Sequence, residues 1–169
     1  MDLTAYTLGE TDQVLKIDNK DDFIALILAM SQQARHKILI FSHHLEHLLF
    51  DNEPLYEAIK QLAIKNHRTH IQILLQDPKP MTKKGHRLLN LARRISSHVS
   101  IKQAHKEQQE LFETFIIFDD RGYIMHTNPD RYDAYGNFYA PIKTRQLSEQ
   151  FADYWEQGTI DNSLRRLSL

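Results

Sequence analysis

The sequence predicts an α/β protein, a mixed and partly parallel sheet flanked by helices. Three observations carry that expectation. Apolar runs of strand length alternate with segments whose apolar residues recur at helical spacing, the order that builds parallel sheets. The stretch Phe112 to Asn128 (FETFIIFDDRGYIMHTN) then holds two short apolar runs, Phe115–Phe118 and Tyr123–Met125. The turn formers Asp119-Asp120-Arg121-Gly122 join them, which reads as a β-hairpin. A last segment carrying Leu147, Phe151, Tyr154 and Trp155 supplies a covering helix.

Taken in order, Asp18-Asn19 offers a helix N-cap, with Asp21 and Asp22 in the first turn where carboxylates complement the helix dipole. Phe23, Ile24, Ile27, Met30 and Ala34 continue at helical spacing. Lys37–Ser42 (KILIFS) is a strand. Asp51-Asn52-Glu53-Pro54 starts a second helix, with Leu55, Ile59, Leu62 and Ala63 as its buried face. His70–Gln76 (HIQILLQ) is a second strand, stopped by Asp77-Pro78 and Pro80. The spacing predicts a helix from Thr82 to about Ser96, on the stripe Leu88, Leu91, Ala92 and Ile95. Val99–Ile101 is a short third strand and Gln103–Glu110 a solvated connection. Pro129–Pro141, with Tyr132, Tyr135, Phe138 and Tyr139, reads as a long aromatic loop that covers a site, offers an interface or anchors itself to the sheet. One domain over 19–158 is expected, between an N-terminal extension 1–18 and a tail 159–169 in which Leu164, Leu167 and Leu169 are available for packing.

A chain of 169 residues suits one domain with a substantial core. Its net charge of −1 exerts no global pull on nucleic acid or anionic membrane, so such binding needs a local patch. There is no cysteine, hence no disulfide frame and no thiolate chemistry, which fits a reducing interior. The segment MDLTAYTLGETDQ lacks the pattern of a secretory signal, and the longest apolar run is far short of a membrane span. A cytoplasmic protein with no membrane association is expected.

The hairpin resembles the signature of the phospholipase D superfamily, H-x-K-x4-D followed by G-S-x-N. Asp119 falls on its aspartate and Asn128 on its asparagine, but Phe112 holds the histidine position and Thr114 the lysine position. The ending QFADYWEQ resembles that family's terminal helix, with Phe151 and Trp155 at its aromatic positions. The order GHRLLNLARRIS, altered hairpin, QLSEQFADYWEQG is also similar to a poorly characterised bacterial domain sometimes found after acetyltransferase domains. The resemblance implies one half of a phospholipase D-like fold, a symmetric dimer, and a protein partner such as an acetyltransferase. In that family a histidine attacks phosphorus and a lysine neutralises the equatorial oxygens. Phe112 does neither, and Thr114 brings no charge.

Other residues offer chemistry. His126 would lie near the old phosphate site, either contacting phosphate or sitting satisfied within its strand. Ser42 and His43 close the first strand, at the edge where open α/β sheets present ligands. Asp119 also serves as the first residue of a tight turn, and Asn128 as a turn residue before Pro129. His43 and His47 are spaced for one helical face, with Asp51 near, but the order is not HExxH and no metal or cofactor is assigned. Lys83, Arg87, Asn90 and Arg94 form one polar stripe, and with Lys84, His86 and Arg93 a basic surface able to hold phosphate. The same residues are equally a solvated helix face. Three functions follow: a catalytically inactive phospholipase D-like domain kept for binding a phosphate-containing ligand or a protein; a phosphodiesterase or nuclease rebuilt around His126 or His43; or a nucleic-acid binder using the basic helix.

Overall fold

Residues 1–111, 113–126, 128, 130–160 and 162–165 are described in the computed structural model. Phe112, Leu167 and Leu169 lie outside them. The strands are β1 (Leu15–Ile17), β2 (Lys37–Ser42), β3 (His70–Leu75), β4 (Val99–Gln103), β5 (Thr114–Phe118), β6 (Gly122–His126) and β7 (Ala134–Asn137). The helices are α1 (Lys20–Gln33), α2 (His47–Phe50), α3 (Glu53–Ala63), α4 (Lys79–Lys84), α5 (Arg87–Arg94), α6 (Pro141–Gln157) and α7 (Asn162–Arg165). All the strands form one sheet in the order β1-β7-β6-β5-β2-β3-β4. β2, β3 and β4 run parallel, and β5, β6, β7 and β1 continue antiparallel from β2.

Alternation of side chains divides the sheet into two cores. Ile38, Ile40, Ile71, Ile73, Ile116, Phe118 and Ile124 face α1, α3 and α5. Leu39, Phe41, Leu74, Phe115 and Ile117 face Leu147 and Phe151 of α6. Burial on both faces is why KILIFS reads as an unbroken apolar run. The caps are those expected: Asn19 accepts the Asp22 N–H at 2.9 Å and Asn52 the Leu55 N–H at 3.0 Å.

Four segments depart from expectation. The helix expected over 82–96 is two helices, because Gly85 takes a positive φ of 76° and His86 is extended before α5. The aromatic stretch 129–141 contains β7, paired with both β6 and β1. Its alternation is hidden because the inward positions are Ala134 and Gly136. A Cβ on Gly136 would lie 2.7 Å from Leu26 Cδ2, so close packing on α1 demands glycine there. The region before residue 19 contributes β1, an edge strand. The connection after β4 is not fully solvated: Lys106–Gln108 form a 3-10 turn with Gln108 buried. Beyond α6, Thr159 bridges to Gln103 at the β4 edge and Leu164 enters the core beside α5.

Candidate functional site

The site suggested by the hairpin lies where β2 ends and β5 begins. Phe41 pairs with Phe115, so Ser42 and Thr114 share this edge, and Thr114 is directly opposite His126. Opposed residues project from the same face of the sheet. The His126 imidazole is 3% exposed and stands edge-on to Phe23 of α1, with ring centroids 5.2 Å apart. Its Nε2 donates to the Arg131 carbonyl. That nitrogen therefore carries the proton and is spent on the backbone. Asn128 accepts the Asp130 N–H at 3.0 Å through its side chain, which closes a local turn.

Asp119 sits at the other end of β5, about 15 Å away at the usual rise of a strand. Its carboxylate accepts three successive backbone N–H groups, from Arg35 at 2.7 Å, His36 at 2.8 Å and Lys37 at 2.9 Å. Asp119 and Asp120 both have positive φ, 56° and 54°, and the Arg121 N–H closes on the Phe118 carbonyl at 2.9 Å. The hand of this turn matches the twist of its strands. Asp120 pairs with Lys37 at 2.6 Å and accepts from Ser148 at 2.6 Å. Partial burial pushes its carboxyl up, but the Lys37 and Ser148 contacts outweigh that and hold it below the usual carboxylate range.

The histidines form two ring pairs, His43 with His44 at 5.4 Å and His47 with His86 at 5.0 Å, instead of one cluster. His43 precedes α2 instead of sharing a helical face with His47. Its Nδ1 lies 3.2 Å from Gln76 Oε1. The Gln76 amide nitrogen donates to the carbonyls of Gln108, at 2.6 Å, and of Leu111. Those two bonds fix the amide's orientation, so Oε1 must accept and His43 Nδ1 must carry the proton. Among the described residues, the Nε2 of this exposed imidazole has no hydrogen-bond partner. Sequence reasoning missed Gln76; its only signal is a polar residue closing an apolar strand.

His47 donates from Nε2 to the Gly85 carbonyl at 2.8 Å, and its ring lies 5.0 Å from that of His86. His86 is buried and caps α5, accepting the Leu88 N–H on Nδ1 at 3.1 Å. Burial pushes it down to about 4; Asp51 opposes that shift and His47 adds to it. Arg87 binds Asp51 at 3.0 Å and Glu53 at 3.5 Å, and Arg94 reaches the Tyr56 hydroxyl at 3.4 Å. Burial raises Asp51, but the Arg87 N–H and guanidinium outweigh it and leave the carboxyl low. Lys83 is exposed on α4, on the far side of the break at Gly85, so the expected continuous basic stripe does not form. Among the described residues no three His, Asp or Glu side chains group closely enough to hold a metal ion. No helix among them is long and apolar enough to cross a membrane.

A family model described as Domain of unknown function (DUF7931) matches residues 19–167. The chain belongs to that family. No curated protein sequence matches it. Solved structures do. Nuc from Salmonella typhimurium, described as a phospholipase D family member, superposes at a TM-score of 0.62 with 14% identity, over 86% of this chain and 95% of that one. NucT from Helicobacter pylori gives 0.63 and 10%, over 87% and 98%. TrmBL2, an archaeal chromatin protein described as showing a novel mode of DNA binding, gives 0.64 and 13%, over 93% of this chain and 56% of that one. Phosphatidylserine synthase of Haemophilus influenzae gives 0.64 and 10%, over 96% and 42%. The chain thus spans nearly all of Nuc and NucT but only about half of the other two. This DUF7931 domain has a phospholipase D-like fold.

Proposed function

We propose that the chain is a phospholipase D-like domain that binds without cleaving phosphodiesters, either a phosphate-containing ligand or a protein. The carrying observation is the pair at the open end of the hairpin. Thr114, at the position of the superfamily's lysine, brings no cation, and the histidine facing it is buried against Phe23 and bonded to a carbonyl. Phosphoryl transfer needs an accessible nucleophile and charge on the equatorial oxygens. This pair supplies neither. A second copy of the chain, or a partner such as an acetyltransferase in the cytoplasm, fits a domain kept for assembly.

One observation favours a second reading, a rebuilt phosphodiesterase. His43, not His126, has an exposed nitrogen lone pair in a single tautomer at the ligand-presenting edge. The nucleic-acid reading through Lys83, Arg87 and Arg94 draws less support, since Arg87 is paired with Asp51 and Glu53.

The test is hydrolysis of bis(4-nitrophenyl) phosphate and of single-stranded DNA with magnesium, manganese or zinc, from about pH 5 to about pH 9. No turnover above buffer is expected. Turnover that disappears in His43→Ala, with the variant's circular dichroism unchanged, replaces the first reading by the second.

A further inference from the structure

We infer that the edge of the sheet opposite the hairpin's open end docks the phosphate backbone of nucleic acid, through four cations on three loops. Arg35 lies between α1 and β2, Lys65 and Arg68 between α3 and β3, and Arg121 in the β5–β6 turn. The register brings these loops together. The His70 N–H bonds the His36 carbonyl at 3.1 Å, and the Asp119 N–H bonds the Lys37 carbonyl at 3.0 Å. A hollow of about 680 Å³ opens among them, lined by Arg35, His36, Lys65 and Arg121.

The surface is rigid beneath and unpaired above. Asp119 is held by three backbone N–H groups, and Asp120 by Lys37 and Ser148. The wall formed by residues 6–10 is tied to α1 by Gln33, which accepts the Leu8 N–H at 2.7 Å and donates to the Tyr6 carbonyl at 3.0 Å. The Arg121 stem runs alongside Gly9, whose φ of 87° disfavours any side chain. Arg35, Lys65, Arg68 and Arg121 are all exposed, and none has a carboxylate within ion-pair distance among the described residues.

Helix C-termini explain part of this charge. α1 and α3 both end here, each with about half a negative charge, which Arg35 and Lys65 complement. Arg68 and Arg121 follow no helix end, so positive charge is left over. Among the described residues, Glu10 is the one carboxylate lining the hollow besides Asp119. Arg68 stands outside the hollow, so the cations reach wider than one phosphate group. They are solvated rather than enclosed, which suits a repeating polyanion read by charge and not by base. This inference is independent of whether the other end of the hairpin is silent.

Fluorescence anisotropy of a labelled single-stranded oligonucleotide, titrated with the full chain over a range of NaCl, tests it. Binding is expected at about 50 mM salt, with a log–log slope of about −3 if four phosphates are neutralised. Joint Arg35→Gln, Lys65→Gln, Arg68→Gln and Arg121→Gln should cost about tenfold or more and flatten that slope. Joint Lys83→Gln, Lys84→Gln and Arg94→Gln, on the other surface, should change neither. No binding at low salt, a four-site variant that binds like the parent, or equal loss in the control variant would overturn the inference. So would pyrophosphate binding as tightly as the oligonucleotide, which would make the hollow a small-phosphate site.

Discussion

The two ends of the central hairpin have the same strands and opposite demands. At the turn, Asp119 accepts three backbone N–H groups and Asp120 joins Lys37 to Ser148, so each carboxylate fastens α1, β2 or α6 to the hairpin. At the open end, among the described residues, Thr114 makes no comparable side-chain bond, and the His126 ring stands against Phe23 with its Nε2 on the nearby Arg131 carbonyl. An aspartate at position 119 is thus required by the fold whether or not the protein performs chemistry. Among the described residues, no such network of backbone bonds surrounds Thr114 at the other end.

The largest expected effect probes that asymmetry directly. Asp119→Ala leaves three N–H groups unpaired and puts alanine at positive φ, so it should cost about 4 kcal/mol in urea unfolding. Asp119→Asn tolerates the turn and keeps one acceptor, so it should cost less. A neutral Asp119→Ala would mean the turn does not anchor the fold.

Acid extends the contrast to the helices above the open edge. Burial holds His86 at about 4 against an ordinary 6.5, so between those values the unfolded chain binds a proton that the folded chain refuses. Stability should be full above that window and fall as pH drops through it, by up to about 3 kcal/mol. His86→Asn keeps a capping side chain without the titration, and its unfolding midpoint should be flatter with pH. An unchanged acid limb in that variant would place the sensitivity elsewhere.

Gly122→Ala at the turn end should cost about 2 kcal/mol by overpacking. The added Cβ would lie 2.6 Å from Met30 Cε and 2.9 Å from the Asn137 carbonyl oxygen. Thr114→Val, by contrast, should shift stability by less than about 0.5 kcal/mol. A large loss there would mean the open end is as constrained as the turn.

Much of this was legible in the sequence for identifiable reasons. KILIFS, HIQILL and the hairpin announce themselves because strands buried on both faces are continuously apolar. β7 was hidden because its inward residues are the small Ala134 and Gly136, and β1 because three residues give no periodicity. The stripe Lys83, Arg87, Asn90 and Arg94 kept helical phase across Gly85, so the break was invisible to spacing. The candidate site was less readable still. Gln76 fixing the tautomer of His43, and His47 meeting His86, join residues more than thirty positions apart. Spacing along the chain carries no record of such pairs.

The pairing of Leu15 with Gly136 joins residues about 120 positions apart, and it completes the antiparallel side of the sheet. During synthesis, β1 must wait for β7, about 120 residues later, before the two can pair. β2 and β3, by contrast, close early across the two helices α2 and α3. β1 therefore stays unpaired while those residues are made, a long interval of exposure to chaperones or to a neighbouring nascent copy.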